Sequence, residues 1–291
     1  MKGEAEFIAG LRSLANHPAA RGLQDDAAVL EIGGATLVLT YDVMVEGIHF
    51  LKDQDPADIA WKLVATNLSD LAAKGAKPVG VLLGHMLGDA DTRFLDGLRE
   101  ILTTYDVPLL GGDTVSGGAP RTFGLTAIGE ATYSPVPSRS KASPGDSIYV
   151  TGPVGAAMIG FEALRDGKDA DSLAYRRPVP RLAEGQALAP LVSAMMDISD
   201  GLLLDSWRLA EASAMSLAID SSAIPISAPK TRHRDAIRWG DDYELLFTAP
   251  SATKLPMPAY CIGKVKERGT SPLLLDGKWL IDSKDLGYIH K

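Results

Sequence analysis

One cysteine, Cys261, in 291 residues leaves no partner for an intrachain disulfide, and with five dispersed histidines there is no cluster to suit zinc. No run of 18 apolar residues occurs, so no membrane-spanning helix is expected. A basic excess is missing too. The formal charge is −8 and the pI about 5.2, which argues against nucleic acid or an anionic membrane as partner. Several phosphate and hydrolase signatures are absent. Gly167, Gly263 and Gly277 each precede a lysine without the rest of GxxxxGK[ST], and His233 to Asp235 spell HRD without the asparagine, glycine loop or VAIK strand of a protein kinase. VTGPVG at 150–155 is not GxGxxG and reads as a plain strand-to-helix turn, while GxSxG and HExxH do not occur. The first twenty residues include Glu4 and Glu6 and hold no long apolar stretch, so they do not read as a secretory signal, and the cytoplasm is the expected compartment.

The chain has ample material for packed cores, with 46% hydrophobic and 23% charged residues, and it exceeds the length that one core usually encloses. Two domains of mixed α/β class are therefore expected. Phe7, Ile8, Leu11 and Leu14 mark an amphipathic opening helix. TLVLTYD (36–42) and PVGVLLGHM (78–86) read as strands, separated by a helix that Asp55 and Pro56 start and Gly75 stops. A second helix, about 91–105, leads through VPLL into GGDT, the glycine-bearing pattern of a loop that lets backbone approach a ligand. The Pro- and Ser-rich run YSPVPSRSKASPGD marks a join, giving domains at 1–137 and 138–291. Beyond it, strands are expected at 146–151, into DISD, at YELLFT and at AYCIG, with helices near 154–165, 181–189 and 201–213.

Aspartates fall where elements hand over to loops: Asp25 and Asp26 in LQDDAAV, Asp42 in LTYDVMV, Asp70 in NLSDLAA, Asp113 in GGDTVSG, and Asp197 and Asp200 in DISDGL. Each alone serves as well as a cap or turn residue. Taken together, carboxylates without His or Cys suit a hard cation such as magnesium bridging to substrate phosphates. Asp70 has a structural alternative, a pair with Lys74 four residues on. Asn67 falls in the apolar stripe of its helix and needs a partner there. His49, Arg139, Tyr105, Tyr243 and Tyr288 have packing or solvent roles as alternatives to ligand contact.

In order along the chain, DDAAVL, DVMVEGIHF, DPADIAWKLVATNLSDLAAKGA, LLGGDT, SRSKASPGDSIYVTG, RRPVPR, DISDGLLLD and GDDYELLFTAP resemble the thiamine-monophosphate kinases, relatives of aminoimidazole ribonucleotide synthetase. The resemblance implies ATP-dependent phosphorylation of thiamine monophosphate to thiamine diphosphate. It implies an N-terminal domain that dimerises through a shared β-barrel and a C-terminal α/β domain, hence a homodimer. By the same resemblance Asp25, Thr40, Asp42, Asp70, Asp113, Asp197 and Asp200 are implied ligands of several magnesium ions, together with the position of Tyr41. Tyr105, Gly112, Arg139 and Ser199 match ATP contacts; His49, Asp241 and Tyr288 match contacts to the thiamine substrate. The chain departs from the family pattern at Tyr41, where threonine is usual, at Gln24 for glycine, at Ser116 for arginine, and at Asp241 for glutamate. The alternatives are another ATP-using enzyme of that superfamily and a non-catalytic nucleotide-binding protein.

Overall fold

The computed structural model describes residues 4–290. Its first half builds one sheet from β1 (Ala28–Ile32), β2 (Ala35–Val45), β3 (Ala76–Leu87), β4 (Leu109–Ser116) and β5 (Thr122–Ala131), in the order β1-β2-β5-β3-β4. Only β3 and β4 run parallel, joined through α3 (Asp91–Thr104); α1 (Glu4–Arg12) precedes them. Strand alternation then divides β2. Val38, Thr40, Asp42 and Met44 face inward, and Leu39, Tyr41 and Val43 face outward.

The inner face is covered by α2 (Pro56–Ala73). Asp55 accepts from the Ala57 amide at 3.0 Å and Pro56 occupies the first turn, so the start is fixed as its sequence suggests. The helix is buried almost all round, because β2, β3 and β5 pack on one side and second-half elements on the other. Its last residues, Ala72 and Ala73, share a cluster with Met195, Leu245 and Phe247, which ties the two halves together.

The second half forms a seven-stranded sheet from β6 (Ser147–Val150), β7 (Ala194–Asp197), β8 (Ser216–Ile219), β9 (Leu245–Ala249), β10 (Tyr260–Lys266), β11 (Leu273–Leu275) and β12 (Lys278–Trp279). Its order is β12-β11-β8-β10-β6-β9-β7. The accompanying helices are α4 (Ala156–Arg165), α5 (Leu173–Arg176), α6 (Leu182–Leu188), α7 (Leu202–Ala212) and α8 (His233–Ala236). The VTGPVG turn leads to Gly155, whose amide donates to Asp242 Oδ1 at 2.8 Å; the start of α4 is thus met by the chain's own carboxylate.

Three expectations change. The first sheet is open, with β1 and β4 at its edges, so no barrel closes within the described chain. GGDT is part of β4 rather than a loop, because its backbone pairs with β3 from Leu82 to Leu87. At Gly112 (φ 153) a Cβ would fall 1.9 Å from the Leu83 carbonyl oxygen, so glycine here serves strand packing. The opening helix forms, but Phe7 and Leu11 remain exposed on it, and Leu14 is exposed in the turn beyond its end at Arg12.

Candidate active site

The acids meet where three elements converge on the inner face. Alternation along β2 aims Thr40 and Asp42 at α2, and α2 presents Thr66 and Asp70 one turn apart. The Thr40 hydroxyl donates to Asp70 Oδ2. β7 ends in Asp197, whose Oδ2 accepts from Ser69 at 2.7 Å. Carboxylate oxygens of Asp26, Asp70 and Asp197 all lie within 4.8 Å of one another. Burial raises Asp42 to about 6, with Asp200 and Asp26 adding to the shift. Burial likewise raises Asp197 to about 8, and holds Asp70 well above the usual range with help from Asp42 and Asp197. Carboxylates held so close and so dry share protons or share a cation. An oxygen-only donor set of this kind fits a hard divalent ion.

The DD pair divides its work in the opposite sense from that expected. Both are ion-paired, Asp25 with Lys74 and with Arg21 at 2.6 Å and Asp26 with Lys74 and Arg139, but only Asp26 also joins Asp70 and Asp197. Burial pushes Asp25 up, but Lys74 and Arg21 outweigh it and leave it below the usual range. Asp26 points into the cluster. Its Oδ1 accepts from Arg139 Nε at 2.8 Å, and its Oδ2 lies 2.5 Å from Lys74 Nζ but out of line for a hydrogen bond. Lys74 therefore reaches across to the DD pair from the end of α2, and the surface pair with Asp70 does not form. Asn67 donates to the Leu63 carbonyl, leaving its buried Oδ1 without a hydrogen bond.

One cavity of about 640 Å³ runs from these acids into the second half. Its lining brings Asp42, Asp70, Asp197, Ser199 and Asp200 together with His49, Asp241 and Tyr288; the Asp241 amide donates to the Ser199 carbonyl at 2.8 Å and the Tyr288 amide to the Asp200 carbonyl at 2.9 Å. Asp200 pairs with Arg208 at 2.5 Å. Asp205, unremarked in the sequence although it closes the segment DISDGLLLD, accepts from the Asp200 amide at 3.0 Å and is raised by burial to about 6. The Val45 amide donates to His49 Nδ1 at 3.0 Å, so the ring proton of neutral His49 sits on Nε2. Burial and His290, whose ring lies 5.4 Å away, keep His49 below the usual imidazole range. The sequence reading also missed Lys62, Phe161, Tyr175 and Trp239, which line the same cavity.

Four expected contacts stand apart. Asp42, Leu125, Leu83 and Gly112 form one row across the sheet, so β4 lies three strands from β2, about 14 Å at usual strand spacing. Asp113 sits beside Gly84 on the outer face, exposed with the rest of β4. Tyr105 ends α3 and packs edge-on against Trp61. Tyr41 also faces outward, lies 63% exposed and lays its ring over Gly124, where an added Cβ would fall 2.4 Å from the phenol oxygen.

Comparison with known proteins bears on this arrangement. The family described as "AIR synthase related protein, N-terminal domain" matches residues 24–131, and its C-terminal domain matches 143–271. Thiamine-monophosphate kinase of Escherichia coli K12 is 40% identical, covering 88% of this chain and 90% of the relative. A solved structure described as AaThiL complexed with AMPPCP and TMP is 28% identical, covers 96% and 95% of the two chains, and superposes with a TM-score of 0.86. The thiamine-monophosphate kinase of Stenotrophomonas maltophilia K279a is 33% identical over 94% and 95%, with a TM-score of 0.77.

Proposed function

Because this chain belongs to the thiamine-monophosphate kinases of the AIR synthase related family, we propose that its cavity joins ATP to thiamine monophosphate and yields thiamine diphosphate and ADP. The observation that carries the reading is one cavity lined both by acids of an oxygen-only cluster and by His49, Asp241 and Tyr288. The acceptor is a phosphate monoester, largely dianionic at neutral pH because its second pKa is about 6, so no general base is needed. An acceptor phosphate oxygen bonds to the γ-phosphorus in line as the bond to the β–γ bridging oxygen breaks, without a phosphoenzyme.

Asp26, Asp42, Asp70, Asp197 and Asp200 are the proposed holders of several magnesium ions, with the Thr40 hydroxyl beside Asp70. Bound there, magnesium neutralises the charge of the two polyanions. Ser199 lines the same cavity, and Arg139, which donates to Asp26 Oδ1, keeps its proposed contact with ATP. Asp25 is left the role of anchoring Lys74 and Arg21.

Asp113, Gly112 and the outward Tyr41 are proposed to act at the interface of a homodimer, while Tyr105, packed on Trp61 and near Arg181, keeps its proposed contact with ATP. The outer face exposes Tyr41, Val43 and Leu82, and the edge strand β4 exposes Leu109, Leu110 and Val115 along unpaired backbone. Such an apolar face beside an open edge is supported by a second copy, whose sheet would complete the barrel that one chain leaves open. The domain boundary is placed at 137/138, between the two sheets. No helix of the described residues is long and apolar enough to cross a membrane, and a cytoplasmic location is part of the proposal.

The deciding experiment is a steady-state assay with ATP, thiamine monophosphate and millimolar magnesium. Formation of thiamine diphosphate is expected, and its absence above background would refute the reading.

A further inference from the structure

Lys62 is 1% exposed, yet it borders the cavity. Its position on α2 puts it across from the second half of the chain. The ammonium donates to Asp241 Oδ2 at 3.0 Å and to the His49 carbonyl at 3.1 Å, and it sits 3.9 Å from the centre of the Tyr175 ring. These three neighbours match its three N–H bonds. None remains for a phosphate, which separates Lys62 from the phosphate-binding lysine that a kinase invites one to look for.

The partners are themselves held. The Tyr175 hydroxyl donates to the same His49 carbonyl at 3.2 Å, and Tyr243 donates to Asp241 Oδ1 at 3.0 Å. Asp241 takes a left-handed backbone (φ 65), and its amide donates to the Ser199 carbonyl at 2.8 Å. Its carboxylate is fixed from both sides, with 27% of the side chain open. Each Asp241 oxygen keeps a lone pair for a ligand, while its charge is cancelled by a buried ammonium. Thiamine monophosphate has a neutral aminopyrimidine and a cationic thiazolium. The cancelled Asp241 suits the neutral amino group, whereas the cation is better served nearer the acids.

Resting on the proposed function, we infer that Lys62 is a positioning residue for the organic end of the substrate. It joins Asp241 and the His49 loop into one wall and sets that wall to accept a neutral hydrogen-bond donor. Removing either charge alone strands the other in a dry site; removing both restores neutrality.

The test measures KM for thiamine monophosphate and for ATP, with kcat, in wild type, Lys62→Met, Asp241→Asn and the double variant. Each single change should raise KM for thiamine monophosphate at least tenfold with KM for ATP unchanged, and the double variant should lie below both singles. A fall in kcat with that KM unchanged, an equal rise in both KM values, or simple multiplication in the double variant would overturn the inference. If Lys62→Met fails to fold, Tyr175→Phe and Tyr243→Phe, which keep the ion pair, should each raise KM for thiamine monophosphate a few-fold. No change in either would overturn it. Wild-type turnover with unresponsive variants refutes the inference alone; absent wild-type turnover refutes the function and the inference together.

Discussion

The two faces of the first sheet carry opposite chemistry. Inside, Thr40 and Asp42 sit under α2 in a pocket so dry that burial drives carboxylates toward their protonated forms. Outside, Tyr41, Val43, Leu82 and Asp113 stand in solvent. Adjacent residues of β2 thus belong to different environments, and one chain shows only part of the residue set that the sequence groups together. On the proposed reading, the difference separates groups that would hold a cation within a chain from groups that need another surface to reach it.

The largest expected effect treats both faces alike. Asp42→Asn and Asp113→Asn should each lower turnover by about a hundredfold or more, the scale on which losing one preorganised charge acts. Wild-type rates in both would remove the metal argument. Mixing the two inactive proteins under conditions of subunit exchange then tells the faces apart. If Asp113 serves the partner's inner face, a mixed dimer has one intact site, and activity should recover to about a quarter of wild type by random pairing. If it serves its own chain, none returns.

A smaller effect should be confined to the inner face. Asp42 and Asp197 hold their protons up to about 6 and about 8 in the folded chain, against 3.8 as the reference value. Between these limits the folded state binds more protons than the unfolded one, so metal-free stability falls as pH rises from about 4 to about 8. Thermal unfolding in chelator should show that fall, and millimolar magnesium should raise the midpoint by several degrees more at pH 8 than at pH 6. Asp70→Asn should flatten the slope in chelator, while Asp113→Asn, outside the cluster, should leave it as it is. Equal slopes in both variants would erase the distinction between faces.

Much of the frame was legible because it rests on local rules. Asp55 and Pro56 start α2, a β-rich run and a nearly continuous apolar run give β2 and β3, and the ordered motifs name the family. What escaped depends on direction and distance. Period-two alternation already puts Thr40 and Asp42 opposite Tyr41, but only the sheet order shows β4 three strands away. The choice between Asp25 and Asp26 turns on which carboxylate reaches Asp70 and Asp197, and the reach of Lys74 to both was hidden as well, since a lysine one residue before Gly75 reads as an ordinary solvated helix end. Lys62 was hidden for the same reason. Its stem continues an apolar helix, and its charge matters only because Asp241, 179 residues on, folds against it.

Tyr41 offers the smallest and most local test of the comparison. Its ring does not enter the acid cluster; it bends over Gly124 on the outer face, and the neighbouring row runs from Gly124 through Gly84 to Asp113. The phenol covers part of the surface proposed to receive a second copy, so its removal should change how copies meet more than how the acids hold a cation. Tyr41→Thr should leave kcat within a few-fold of wild type or above it, while Gly124→Ala, which drives a Cβ against the ring, should displace the phenol and weaken dimerisation. Sedimentation over a concentration series, read beside the turnover assay, checks both. A total loss of turnover in Tyr41→Thr with an intact dimer would show that the phenol serves the chemistry itself.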